Sequence, residues 1–435
     1  MKLLSRSLLS LSLALILCSP VVTQAEDWPA WRGPNGDSIS SEKNLPTSWS
    51  VDKNIAWKTP IEGWGGSTPA IIGNTIFVTT NTDAGELQLL KINKRNGKLI
   101  WKRSVTSAET PREAPKRKTQ KFHRLHNLAS PSPTVHGEIV VVHFGNGLLA
   151  AYDFAGKQLW NHDFQKEYGA YSIWWGHANS PVIVGGELVI SVCMQDSLDD
   201  LQDTPVQSYL VAHDLKTGKL RWKSKRMTGA HSEEGDAYTT PVLFSTNGQQ
   251  QLVVMGGNQL DAYDPKTGKQ LWYLPGLVGG RTITGPTIGG GKILCTRGQK
   301  GPMIAIEAKD YSGQLGNDAI QWEVPSGTSD SPCSVITGGM AFIVTDDGIA
   351  QCFDLKTGKQ HWKERIGGKF KASPVVADGR VYFLSLDGTC TVVKVAAEFE
   401  QVAQNKLPDD TIASPAISDG RIYLRGKEFL WAIEK

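Results

Sequence analysis

The chain has 435 residues, 40% of them hydrophobic and 20% charged, with 45 glycines, a mix that suits a turn-rich all-β protein better than a helical or disordered one. Its 46 basic residues nearly balance 43 acidic ones, which argues against a general nucleic-acid or anionic-membrane binder. The six cysteines include no Cys-x-x-Cys, which excludes the usual haem c, zinc-ribbon and thioredoxin signatures.

Residues 1–25 read as a secretory signal, with Lys2 and Arg6 ahead of an apolar run from Leu8 to Leu17 and a small-x-small site at Thr23-Gln24-Ala25. The run is short for a transmembrane helix, and no later stretch comes close. Cys18 follows bulky Leu17, so lipid anchoring there is not expected. A periplasmic or secreted protein follows. Loss of Lys2 and Arg6 takes the formal charge from +3 to +1. Residues 26–53 form an N-terminal extended segment, and residues 54–435 a single repeat domain.

Two phrases recur along that domain. The first is Ser/Thr-Pro, a short apolar run, a Gly turn and a second apolar run. It starts at Thr68-Pro69, Ser130-Pro131-Ser132-Pro133, Ser180-Pro181, Thr240-Pro241, Gly285-Pro286, Ser331-Pro332, Ser373-Pro374 and Ser414-Pro415. Proline is tolerated there because the first residue of a strand needs no ladder bond. The second phrase is clearest at Asp214-Leu-Lys-Thr-Gly218-Lys-Leu-Arg-Trp222. It reads as a hairpin in which Asp accepts from turn amides and Gly supplies positive φ. Copies end at Trp101, Trp160, Trp222, Trp272, Trp322 and Trp362, the one before Trp322 being stretched from Glu307.

A ring at one fixed place per repeat predicts docking between neighbouring sheets. Eight Ser/Thr-Pro starts predict an eight-bladed β-propeller. The seventh repeat, near Phe399, has lost its Trp; merging it with a neighbour would leave seven blades. The last repeat runs out of chain after Phe429–Ile433, so Asn54-Ile-Ala-Trp57 is predicted to supply its outer strand and close the ring. Ala396–Asn405 is the one short helix candidate. Cys352 and Cys390 occupy equivalent strands of adjacent repeats; they read as small buried hydrophobes or as a pair.

The phrase Asp-x-x-Thr-Gly-Lys-x-x-Trp resembles the repeat of pyrroloquinoline-quinone (PQQ) enzymes and of their non-enzymatic BamB-like relatives. The opening Asp27-Trp-Pro-Ala-Trp-Arg-Gly-Pro-Asn35 resembles that of secreted bacterial PQQ-like propellers. The resemblance implies the fold, but a fold hosts many functions. For the enzymes it implies PQQ between a Trp and a disulfide of adjacent cysteines, with calcium held by Glu, Asn and Asp. This chain has no adjacent cysteines, and no ligand set carries over residue by residue. PQQ with calcium is therefore an alternative, with no cofactor as the main expectation.

Residues just before the inner strands converge around a propeller's channel. They include Trp64, His126, Asn127, Trp174, Trp175, His177, Asn179, Asp236, Arg281 and Lys369. One reading is a site for a small ligand or peptide at the channel mouth; the other is strand-end capping and channel water. His126-Asn127 and His177-Ala-Asn179 precede consecutive inner strands and could face each other. Trp64, Trp174 and Trp175 offer stacking platforms for a carbohydrate. No catalytic set and no metal site are legible. The expected function is a monomeric, non-catalytic scaffold binding a protein or small ligand. A PQQ-dependent alcohol or sugar dehydrogenase is the alternative, and a carbohydrate-binding propeller a further one.

Overall fold

The computed structural model describes residues 26–108, 111–114, 117–119, 123–173, 175–195 and 207–435. Eight antiparallel sheets form the ring. Blade 1 comprises Ala70–Ile72, Thr75–Asn81, Glu86–Asn93 and Leu99–Ser107, from inside to outside. Blades 2 to 7 repeat it, with inner strands at Thr134–His136, Val182–Val184, Val242–Thr246, Thr287–Gly289, Val335–Thr337 and Val375–Ala377. Blade 8 takes Ala416–Ser418, Arg421–Arg425 and Phe429–Ile433 from one end of the repeat domain. Its outer strand, Ile55–Pro60, comes from the other, with Trp57 opposite Ala432. The ring is thus closed as the sequence predicts, which removes the edges an open ring would expose.

The tryptophans explain how blades dock. Each sits on an outer strand at a register shift, opposite an alanine in five of the seven cases and a cysteine in another: Ala432–Trp57, Ala151–Trp160, Ala212–Trp222, Ala262–Trp272, Ala305–Trp322 and Cys352–Trp362. Such a bulge re-aims the side chain toward the next blade. There the indole Nε1 donates to the carbonyl one residue after the turn's first residue. The acceptors are Lys94 for Trp57 (3.1 Å), Phe154 for Trp101 (3.1 Å), Leu215 for Trp160 (2.9 Å) and Pro265 for Trp222 (3.1 Å). Leu355 serves Trp322 (3.0 Å), while the irregular blade 7 turn instead offers Trp362 the carbonyl of Ala396, two residues after Lys394 (3.1 Å).

The turn glycine is fitted to the ring. Gly218 has φ +70°, and a Cβ there would meet the Trp160 ring at 2.7 Å. Only a residue without Cβ satisfies both the left-handed turn and the contact. Asp214 holds the same turn by accepting from the amides of Lys216 (3.1 Å) and Thr217 (2.9 Å).

Trp272 departs from this rule for a visible reason. The next turn is the stretched one, and Gly313–Gln314 adds a fifth, parallel strand outside Gln270–Leu274. Trp272 is fully buried with Tyr311 packed edge-on, and it donates to Gln251 of its own blade at 2.7 Å.

Three expectations need correction. Gln401–Lys406 is the outer strand of blade 7, not part of a helix. The position equivalent to the docking Trp is Ala403, opposite Val392; Phe399 instead packs edge-on against Trp362 at 5.2 Å. In blade 6 the inner strand begins two residues later than Ser331-Pro332 implies, so Cys333-Ser334 occupies the Ser-Pro place. The α-helix among the described residues is Phe164–Tyr168, capped by Asp163. Cys193, Cys295, Cys333, Cys352 and Cys390 are all buried free thiols, so Cys352 and Cys390 do not pair. No helix among the described residues is long and apolar enough to cross a membrane. The signal and Cys18 lie outside the described residues.

Candidate functional site

The Ser/Thr of the Ser/Thr-Pro phrase builds a belt around the axis. The amide of Thr68 donates to Ser132 Oγ (2.9 Å), that of Ser132 to Ser180 Oγ (2.9 Å), and that of Ser180 to Thr240 Oγ1 (3.0 Å). The belt resumes from Gly285 to Cys333 Sγ (3.2 Å), Cys333 to Ser373 Oγ (3.0 Å) and Ser373 to Ser414 Oγ (2.9 Å). These six links tie inner strands to their neighbours where no sheet ladder reaches, with breaks at Thr240–Gly285 and at Ser414–Thr68. Sequence reading explained the proline of the phrase and missed the hydroxyl; its recurrence at the same place in successive repeats was the available signal.

The belt encloses an axial cavity of about 360 Å³. The N-terminal segment closes one end of it. Trp28 bridges to Ile71 of blade 1, and the Pro29 carbonyl accepts from Val135 of blade 2. Trp31 faces the cavity. Arg32 is buried and donates to Ser38 Oγ (2.9 Å), the Pro286 carbonyl (3.1 Å), Thr287 Oγ1 (3.0 Å) and the Ser334 carbonyl (2.8 Å). Ser40 then bonds to Val376 of blade 7. The segment therefore straps blades on both sides of the axis, and the axial cavity is blind.

The opposite face carries the mouth. Arg281 pairs with Asp330 (3.0 Å) and Glu233 (3.2 Å), and Lys371 with Asp346 (2.6 Å). Burial pushes the Asp330 carboxyl up against the pull of Arg281. Burial also acts on Asp346, but Lys371 and Ser331 outweigh it and hold that carboxyl low. His123 lies edge-on to Trp175 at 6.2 Å, its pKa lowered by burial and then by Lys371, Arg124 and Arg281.

The sequence-derived candidates separate into three groups. His126, Trp175 and Arg281 line the axial cavity. Trp64 and Lys369 line a second cavity beside it. The rest line neither cavity: Asn127 Nδ2 donates to the Trp64 carbonyl (2.9 Å), Asn179 Nδ2 donates to the Thr239 carbonyl, and Asp236 is buried with its carbonyl accepting from Thr282. Trp174 lies outside the described residues.

His177 is buried and donates from Nε2 to the Val192 carbonyl (2.9 Å). Its ring packs against His143 at 4.4 Å, a neighbour that sequence reading passed over. Burial lowers the pKa of His177 to about 4 and that of His126 to about 3, so both are neutral.

Among the described residues one trio could gather around a metal, His162, Glu167 and His213. It sits on the outer side of blades 2 and 3. His162 already uses Nδ1 on Glu167 (2.9 Å) and Nε2 on the Gly218 carbonyl (2.7 Å). The carboxylates at the mouth are paired with cations, and no two cysteines among the described residues are joined. The residues present therefore do not fit the calcium-and-disulfide cradle implied for the quinone enzymes.

Comparison with known proteins places these features. The chain is 30% identical over 179 residues to a lanthanide-dependent methanol dehydrogenase of Methylacidiphilum fumariolicum (strain SolV). That match covers 37% of this chain and 27% of the enzyme, so it spans about a quarter of that relative's length. Among solved structures, BamB from Moraxella catarrhalis aligns over 88% of this chain and 97% of its own, with TM-score 0.59 and 12% identity. A europium-containing methanol dehydrogenase aligns over 93% and 90%, with TM-score 0.68 and 11% identity. These structural likenesses show the fold. The family profile described as outer membrane protein assembly factor BamB matches residues 39–198, 206–314 and 313–401, and with that coverage the chain belongs to this PQQ-repeat β-propeller family.

Proposed function

We propose that the protein is a non-catalytic periplasmic scaffold that docks a protein segment or small ligand at the open mouth of its blind axial cavity. The observation that carries this reading is the self-neutralised mouth. Arg281 and Lys371 are each engaged by carboxylates; the hydroxyls nearby are bonded too, Ser331 Oγ to Lys371 Nζ (2.8 Å) and Ser130 Oγ to His126 Nδ1 (2.6 Å). Such a surface can exchange internal ion pairs for a partner's charges without further chemistry. A photo-crosslinking residue at Lys371 is expected to give a discrete adduct in periplasmic extract. The same residue at Asn44, on the strapped face, is expected to give none. Equal labelling from both faces would remove the proposal.

The match to a methanol dehydrogenase over 179 residues favours a second reading, a PQQ-dependent oxidoreductase. When bound, that quinone would supply the redox chemistry and the protein its orientation. Titration with PQQ plus calcium or a lanthanide separates the two. The scaffold reading expects an unchanged absorbance spectrum and no dye-linked oxidation of methanol or glucose. A saturable spectral change with oxidation would establish the enzyme instead.

A further inference from the structure

Among the described residues three arginines are buried, and one of them is built differently. Arg226 is matched by Asp261, with Nη2 to Oδ1 at 3.0 Å, and by the carbonyls of Gly256 and Gln259. Arg32 has no carboxylate partner, but its Nε and both amino groups meet oxygens. Arg425, 1% exposed, meets only backbone carbonyls, those of Gly426, Lys427 and Gly63, and its Nε has no partner. The nearby Asp409 carboxylate is occupied by the amides of Glu428 and Phe429 and by Trp431 Nε1. A buried guanidinium without a bonded counter-ion is costly to keep charged. Burial accordingly lowers the Arg425 pKa to about 10, against the pull of Asp409, which still leaves it a cation at neutral pH.

Arg425 lines a cavity of about 610 Å³ on the open face, between blades 7, 8 and 1. Lys369, Lys427 and Arg124 line it as well, facing two carboxylates, Asp387 and Asp410. Asp387 is already committed, since Lys406 and Ser385 both donate to it. The balance of the cavity is positive. One wall is Trp64, whose backbone is fixed by two hydrogen bonds with Asn81, at 3.1 and 3.0 Å. Leu125 and Ile412 line both this cavity and the axial one and form the partition between them.

We propose that this side cavity binds an anionic sugar, a pyranose carrying a carboxylate or sulfate. The oxyanion is held by Arg425 with Lys369 and Lys427, and the apolar face of the ring lies on Trp64. Charge-assisted hydrogen bonds to a carboxylate or sulfate are the strong kind, and an indole supplies the flat apolar platform such a ring needs. The site uses other residues than the axial mouth and stands whether or not the scaffold reading does.

Calorimetric titration of the full chain with glucuronate, glucose 6-sulfate, glucose and inorganic sulfate tests it. The two anionic sugars are expected to bind saturably, and glucose and inorganic sulfate each roughly tenfold or more weakly, because each lacks one half of the recognition. Binding is expected to weaken with added salt. Trp64→Ala and the double variant Lys369→Ala/Lys427→Ala are each expected to lose on the order of tenfold in affinity with an unchanged melting temperature. Lys371→Ala at the axial mouth is expected to leave it intact. Glucose binding as tightly as glucuronate would overturn the proposal. So would sulfate alone binding, an unaffected lysine double variant, or no saturation by either anionic sugar.

Discussion

At the strapped end of the channel, Arg32 is buried with every donor group bonded, and the segment around it fastens blades 1, 2, 5, 6 and 7. At the open end, Arg425 is equally buried but has an unpartnered Nε and no bonded carboxylate. The same residue type therefore does opposite work at the two faces. A buried cation whose donors are all met is a fastener; one left short of partners keeps stabilisation in reserve for something that arrives. The closed face is finished by the chain itself, and the open face is where charged groups collect.

The largest expected effect comes from breaking the fastener. Arg32→Ala removes four hydrogen bonds spanning two blades and is expected to destabilise by about 3–5 kcal/mol in urea unfolding. Arg425→Met at the open face is expected to lose less than about 2 kcal/mol, since it removes an incompletely satisfied charge and keeps the volume. Equal losses would show that the two ends are not differently built.

Next in size is the response to acid. His126 and His177, behind the open face, have folded pKa values lowered by burial to about 3 and about 4. Both lie below the ordinary value near 6.5. Between those limits the unfolded chain binds the extra protons, so stability is full above pH 6.5 and falls as pH drops toward 4. Each histidine contributes a slope of about 1.4 kcal/mol per pH unit within that window. His177→Gln is expected to flatten the profile, read from melting temperature against pH; an unchanged slope would mean His177 is not buried neutral.

The smallest effect concerns the belt. Gly285 interrupts it, leaving the preceding Thr240 amide without a side-chain acceptor from that position. A Cβ there would meet nothing closer than the Thr240 carbonyl at 3.5 Å, and its φ lies outside the left-handed region. Gly285→Ser is expected to stabilise by about 0.5–1 kcal/mol by restoring the link. Thr240 amide exchange measured by NMR should slow in that variant and should not slow in Gly285→Ala.

The sequence alone determined the architecture. Ser/Thr-Pro starts, Gly turns and periodic tryptophans are local signals, and each repeat spells its own hairpins and its own docking ring. The closing strand at Trp57 was legible because the last repeat lacked one. What was hard to read was a missing mark: without a tryptophan in blade 7 the repeat could be placed only near Phe399, and register puts the equivalent position at Ala403. The sites were legible only as a set of positions near the axis. Which of them share a cavity depends on how loops from distant blades fold over the ring, so Trp64 and Lys369 parted from His126, Trp175 and Arg281.

The tertiary structure alone decided that residues 26–53 are a strap across the channel, and that Arg425 is a buried cation without a bonded counter-ion. Neither follows from local pattern. The physical reason is that burial and hydrogen-bond satisfaction of a charge are sums over groups separated by hundreds of residues, such as Arg32 and Ser334 or Arg425 and Gly63. Periodicity records what each blade needs, and only the closed ring records what the blades leave unmet.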